Sequence, residues 1–169
     1  MFVVTKDTEK TLLQVLKDYA QNGAAHRCLY FRFSELDTPR EEWSQPFTQA
    51  LEKAGDSGDL THMYICYDQD VFVLMRGATH KTLRKIVAQL TSEIDVPFSE
   101  GLAGIFDLGV DCQKIETLCK RKLAVLENIQ IEKHKKQQAK KKKKEREAVH
   151  TESTFSVYRT ITLLPVPTQ

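Results

Sequence analysis

Two carboxylates stand two residues apart in the run "YDQDVFVLMRG", residues 67 to 77. Here the three residues Asp68, Gln69 and Asp70 connect two apolar, β-rich runs. So short a connection predicts a β-hairpin with both carboxylates on its turn. Glu35 follows an earlier run with strand-like alternation. Carboxylate oxygens are the ligands that divalent cations prefer, so Asp68, Asp70 and Glu35 could serve a nucleotide-dependent enzyme if the fold brings the strand end to the turn.

Other familiar chemistries have no support in this sequence. It contains no Gly-rich phosphate loop, no HExxH and no GxSxG. The four cysteines form no CxxC pair and lie in apolar patterns, where free cysteine behaves as a small hydrophobic residue. The five histidines are scattered at element edges and in the tail, where surface or capping roles are common. We therefore expect no catalytic residue, no cofactor, and no metal or disulfide.

The hydrophobic periodicity predicts the order helix, strand, helix, strand, strand, helix, strand, helix. Its central β-α-β-β-α-β part is typical of an α+β, ferredoxin-like (split β-α-β) fold, an antiparallel sheet with helices packed mainly on one face. Both faces of the predicted hairpin are apolar, however. The second face must therefore be covered by the N-terminal helix, by the C-terminal segment, or by a protein partner such as a second copy.

Capping signals place the ends of the predicted helices. The first helix begins at Asp7 or Thr8, and the third begins behind Thr79. The last helix is expected to begin behind Asp111. The second helix has a capping box from Thr38 to Glu41, and its interior Pro46 predicts a kink or a division into two helices.

The hairpin turn resembles the signature of the bacterial GGDEF family of nucleotide cyclase-like domains, which share this element order. Aligned with that signature, the turn keeps Asp70 in third place and Phe72 in fifth. Asp68 and Gln69 stand where the family has glycines, and Val71 stands where it has glutamate. The hairpin's ending, Arg76, Gly77 and Ala78, is also similar to worn GGDEF-like domains that precede EAL-like domains in alphaproteobacterial proteins.

The resemblance implies a degenerate signalling domain without catalysis. The family's glycines let the backbone approach a phosphate-bearing nucleotide, and the side chains of Asp68 and Gln69 would obstruct that approach. Val71 replaces a carboxylate that supports the metal in active relatives. Arg32 and Ser34 occupy the end of the first central strand, where active relatives carry an aspartate. We expect a non-catalytic regulatory or protein-interaction module.

The chain is a mildly acidic body with a basic tail. Residues 1–132 hold 15 Lys and Arg against 20 Asp and Glu, whereas residues 133–169 hold 10 against 3. The predicted organisation is a domain over 1–131, a Lys-rich helical extension or linker over 132–150, and a strand-like segment or the start of another domain over 151–169. No window is apolar enough for a signal peptide or membrane span, so a cytoplasmic protein is expected.

The Lys-rich run leaves two interpretations open. It could be a solvated linker, or it could attract nucleic acid or an anionic surface. The alternative function is therefore a nucleic-acid-binding α/β plait with a basic arm. Its candidate interaction surface would consist of an open sheet face and the lysines of the arm: Tyr30, Arg32, Tyr64, Lys140, Lys141, Lys142, Lys143 and Lys144.

Overall fold

The computed structural model describes residues 1–36, 38–54, 61–94 and 101–161. Over these residues the chain is an α+β protein with one five-stranded mixed sheet and four α-helices. The strands are β1 (Phe2–Val4), β2 (His26–Phe31), β3 (Thr61–Ile65), β4 (Val71–Arg76) and β5 (Ala103–Asp107). The helices are α1 (Thr8–Asn22), α2 (Arg40–Ala54), α3 (His80–Ile94) and α4 (Leu108–Ile161).

The sheet has the strand order β1-β3-β4-β2-β5. The neighbours among β3, β4, β2 and β5 are antiparallel, as the split β-α-β plan requires. This confirms the predicted α+β fold. β1 pairs in parallel with the outer side of β3 and was not predicted, because a three-residue strand leaves almost no periodic signal.

Helices cover both faces of the sheet. One core lies between the sheet and helices α2 and α3, and it includes Leu29, Phe31 and Val73. The opposite core lies between the sheet and helices α1 and α4, and it includes Tyr30 and Phe72. The expectation that helices pack mainly on one face is therefore wrong. The predicted alternation along β2 and the hairpin is confirmed, and α1 with the first part of α4 supplies the missing cover from within the chain.

The predicted capping residues are found only in part. α1 begins after Asp7, whose side chain makes no capping hydrogen bond, and α2 begins at Arg40, two residues after Thr38. Thr79 caps α3 by accepting a hydrogen bond from the Thr82 amide at 3.2 Å. α4 begins at Leu108 rather than behind Asp111. Asp107 caps it by accepting a bond from the Gly109 amide at 2.9 Å, and the Asp111 side chain, in the first turn, accepts from the Asp107 amide at 3.3 Å.

The structure decides parts of two further expectations. α2 is not divided at Pro46, since it runs as one helix from Arg40 to Ala54, and the buried stripe of Trp43, Phe47 and Leu51 holds residues on both sides of the proline against the sheet. Residues 151–161 continue α4 as a helix and do not form a strand; residues 162–169 lie outside the described part of the chain. The chain forms two compact units, Met1–Ala124 and Val125–Gln169.

In the part of the chain that the structure describes, no helix carries a stretch long and apolar enough to cross a bilayer.

The interior proline gives a test of α2. Replacing Pro46 by alanine restores one backbone hydrogen bond and should raise the free energy of unfolding by about 1 to 3 kcal/mol. Urea unfolding measures this change, with Gln45→Ala on the exposed side of the same helix as a control expected to stay within about 0.5 kcal/mol. A loss of stability in Pro46→Ala would show that the proline is favourable where it stands.

Candidate functional site

The hairpin turn between β3 and β4 has the geometry of a three-residue loop. The Cys66 carbonyl accepts a hydrogen bond from the Gln69 amide at 3.1 Å, and the Asp70 carbonyl accepts one from the Cys66 amide at 2.8 Å. Gln69 closes the loop at φ 75°, in the left-handed region that favours glycine. A glutamine held there costs about 1 kcal/mol relative to glycine. The backbone therefore has a glycine-like bend at the position that aligns with the second glycine of the GGDEF signature.

Asp70 is buried at the base of this turn, with 1% of its surface exposed. One carboxylate oxygen, Oδ1, accepts a bond from the Ser34 amide at 2.9 Å. The other, Oδ2, accepts bonds from the Tyr30 hydroxyl and from the Lys122 ammonium group. Both oxygens of Asp70 are therefore engaged by donors from the protein itself.

Lys122 reaches this turn from α4 and is itself 8% exposed. Its Nζ donates to Oδ2 of Asp68 as well as to Asp70, so that one ammonium lies against both carboxylates. It also lies 5.7 Å from the centroid of the Tyr30 ring, within range of a cation–π interaction. A fixed positive charge thus stands beside the two carboxylates that a divalent cation would require.

Electrostatics stabilise this charged arrangement. Burial acts to raise the pKa of Asp70, but the bonds from Lys122, Tyr30 and the Ser34 amide outweigh burial and hold that pKa below its ordinary value. Burial likewise acts to lower the pKa of Lys122, and its bonds to Asp68 and Asp70 instead raise it. Burial and the bond to Asp70 raise the pKa of the Tyr30 hydroxyl, so it remains a protonated donor.

Packing around the turn fixes these donors. Phe33 stacks on Trp43 with ring centroids 4.0 Å apart, which secures the short 3-10 turn Phe33–Glu35 that directs the Ser34 amide at Asp70. On the other side of the loop, buried Glu9 of α1 accepts a bond from the Tyr67 amide at 2.8 Å. Elements from four parts of the chain therefore converge on one three-residue loop.

The proposed ligand set of Asp68, Asp70 and Glu35 is not brought together. The strand end does meet the turn through Ser34, but Glu35 is exposed and pairs with Arg32 at 2.8 Å. Among the described residues, no group of three or more His, Cys, Asp or Glu side chains could hold a metal ion. The hypothesis of a metal site on these three carboxylates is wrong.

The remaining residues of the signature belong to the two cores. Val71 is buried on the face covered by α2 and α3, and Phe72 is buried on the opposite face, where its ring stacks on Tyr30 at 4.5 Å. Val71 therefore contributes packing at the position that aligns with the glutamate of the GGDEF signature.

The candidate nucleic-acid surface on the sheet is also corrected. Tyr30 is 7% exposed and Tyr64 is 3% exposed, because α1 and α4 cover this face. Arg32 donates through Nε to the Gly101 carbonyl at 2.7 Å, and it pairs with Glu35. Tyr30 and Tyr64 therefore do not form an open aromatic platform of the kind on which RNA-binding plaits stack bases.

Sequence reasoning missed Lys122 and Glu9. Each carried a usable signal, because a charged residue interrupts an apolar helical stripe at both places. Lys122 follows Cys119 by three positions, and Glu9 precedes Leu12 by three, so each lies on the buried side of its helix. A charge on such a side is almost always paired, which makes it a pointer to a buried ionic contact.

No family model matches this chain, and the search of curated proteins found no match to it. The site is therefore interpreted from its own geometry.

Removing the ammonium group of Lys122 should show how much the two carboxylates destabilise the folded chain when they have no cation beside them. Lys122→Met leaves Asp70 buried without its cation and should lower the free energy of unfolding by about 3 to 5 kcal/mol at neutral pH. Adding Asp70→Asn in the same chain should recover much of that loss, because the uncompensated charge is gone. Chemical denaturation of both variants measures the coupling; equal stabilities would mean that the pair does not act as a unit.

The same contacts predict a pH dependence. Asp70 has a lowered pKa in the folded chain, so its contribution is present above its unfolded pKa of about 4 and is lost as the pH falls below that value. Lys122 has a raised pKa, so its contribution is present below about pH 10 and is lost as the pH rises further. The melting temperature, measured by thermal unfolding from pH 3 to 11, should fall less at acid pH in Asp70→Asn than in the wild type. An equal fall at acid pH in both proteins would contradict this assignment.

Proposed function

We propose that this chain is a non-catalytic regulatory or protein-interaction module, related in plan to degenerate GGDEF-like signalling domains. The observation that carries the proposal is the Lys122 ammonium group, which lies against Asp68 and Asp70. A cation bridging nucleotide phosphates would have to displace this ammonium group from both carboxylates, and the displaced charge would be left in a buried position.

Packing also supports a loss of catalysis. Val71 and Phe72 fill the two cores, so they cannot move toward a ligand without opening a cavity. Asp68 and Gln69 add side chains where a nucleotide would need bare backbone. The loop is therefore organised for stability, with its polar groups directed at one another.

An exposed apolar patch along the edge of the sheet supports a role in protein contacts. Phe2 and Val3 of the edge strand β1, whose side chains lie on opposite faces of the sheet, are 60% and 46% exposed, and Met1 just before them is 42% exposed. Phe2 is held in place by stacking on His62, with ring centroids 5.4 Å apart. Exposed apolar side chains on an edge strand are typical of an association site. The partner we propose is a second copy of this chain, because β1 is an edge strand of the sheet and can pair with the same strand of another copy across a two-fold axis.

The catalytic half of the proposal is tested with nucleotide. Incubation of the full chain with GTP and Mg²⁺ or Mn²⁺ should yield no cyclic di-GMP by liquid chromatography, because Lys122 occupies the position beside both carboxylates. An active diguanylate cyclase run in parallel controls the assay. Product above the no-protein background would refute a non-catalytic module.

The association half is tested by sedimentation velocity over a range of protein concentrations. The chain should form a dimer as concentration rises, and Phe2→Ser should weaken that dimer at least tenfold, since it removes the most exposed aromatic ring of the patch. Val110→Ser is the matched control, because Val110 is 81% exposed and lies away from the patch in sequence. A chain that stays monomeric throughout would contradict self-association.

A further inference from the structure

Residues 133–146 form a basic arm within α4, in the second compact unit of the chain. The arm holds eight lysines and one arginine against a single glutamate, Glu145. Every one of these residues is exposed. Among the side chains described here, the ion pair that the arm makes joins Lys143 to Glu147 at a long 3.9 Å. Within the described residues, the charge of the arm is therefore almost entirely uncompensated.

Helical geometry concentrates that charge. Lys136, Lys140 and Lys144 follow one another at four-residue spacing, and Lys140 and Lys143 stand three apart. Residues at these spacings are neighbours on a helix surface, where like charges repel and weaken the helix. A helix of this composition is stabilised when a polyanion supplies the missing negative charge. The arm is about 20 Å long, at a rise of about 1.5 Å per residue.

The chemistry of the arm selects one kind of polyanion. An interfacial membrane helix needs a continuous apolar face, but from residue 132 to residue 148 the apolar side chains are Ala139 and Ala148 alone. The large apolar residues on either side, Ile131 and Val149, are 18 positions apart. Residues 125–149 also contain no Phe, Tyr or Trp, and their one aromatic ring, the His134 imidazole, cannot form a row of rings for unpaired bases. Lysines can also adsorb to anionic headgroups by charge alone, but the phosphodiester backbone of a duplex, a rod of closely spaced negative charges, matches a straight helix that is basic along its whole length.

We infer that the basic arm binds the phosphate backbone of duplex nucleic acid without regard to sequence. This interaction is independent of the proposed association through β1 and of the hairpin turn. It also differs from the plait mode, because Tyr30 and Tyr64 are buried and take no part. On a helix with charge on all sides, about half of the nine basic side chains can face a duplex at once. About four or five phosphates are then neutralised.

The number of neutralised phosphates sets the salt dependence. With four or five contacts, the slope of log K against log salt is about −4, at about −0.9 per contact. Raising KCl from 50 to 200 mM should therefore weaken binding roughly 100- to 500-fold. The expected dissociation constant at 50 mM KCl is micromolar or tighter, as for other non-specific binders.

The experiment measures fluorescence anisotropy of a labelled 20-base-pair DNA duplex with the full chain between 50 and 200 mM KCl. Changing Lys140, Lys141, Lys142, Lys143 and Lys144 together to glutamine keeps helix propensity and should weaken binding at 50 mM KCl at least 30-fold. The same five positions changed to arginine should bind within threefold of the wild type.

A second variant separates the arm from overall charge. It removes five exposed lysines of the first unit, replacing each by glutamine: Lys6, Lys10, Lys17, Lys81 and Lys85. This variant has the same net charge as the arm variant and should keep binding within threefold of the wild type. An unchanged thermal unfolding transition shows that either variant is folded.

Four outcomes would overturn the inference. They are no binding of the wild type at 50 mM KCl, binding by the glutamine arm variant within twofold of the wild type, an equal loss in the first-unit variant, and tighter binding to vesicles rich in phosphatidylserine than to the duplex. The last outcome would assign the arm to a membrane surface instead. None of these results bears on cyclic di-GMP synthesis or on the dimer, so the two proposals fail independently.

Discussion

The ammonium group of Lys122 is the interaction on which the hairpin region depends. Two carboxylates on one tight loop repel each other, and one of them is buried, so the loop requires a positive charge at close range. Lys122 provides that charge from a helix that is distant in sequence. The turn, strand β2 and helix α4 are consequently joined through a few polar contacts beneath otherwise apolar layers.

The covered second face of the sheet follows from the same arrangement. For Lys122 to reach the turn, α4 must lie across the face that includes Tyr30 and Phe72, and α1 packs beside it in the same core. This face of the sheet is therefore interior. Any contact that the first unit makes with a partner has to use its outer surfaces, and the exposed strand β1 is one of these.

The sequence predicted the order of elements in the central part of the chain and its α+β class, because the alternation along β2 and the hairpin is strong and the hairpin turn is short. The faces of Leu29 and Tyr30, for example, follow from period-two alternation alone. β1 was not predicted because it is only three residues long and its pairing with β3 is a long-range contact. Residues 151–161 looked like a strand because alternation over a few residues does not show that they continue a preceding helix.

The candidate site was predicted only in part. The position of Asp68 and Asp70 on a turn follows from local spacing, whereas their partner does not. Lys122 comes 52 positions after Asp70, and nothing local to either residue indicates the pairing. Arg32 and Glu35 pair with each other and not with the carboxylates of the turn. Side-chain reach decides this pairing, and hydrophobic periodicity carries no information about it.

The contribution of α4 to the turn has a consequence for dissecting the protein. The last strand of the sheet ends at Asp107, and a boundary drawn there from the sheet alone would look natural. A chain shortened at that point would keep every strand but lose the counterion of the loop, together with the Cys112 and Ile115 side chains that seal the face beneath it. The smallest autonomous folding unit must therefore extend past residue 122, well into a helix whose side chains are exposed to solvent over residues 131–149.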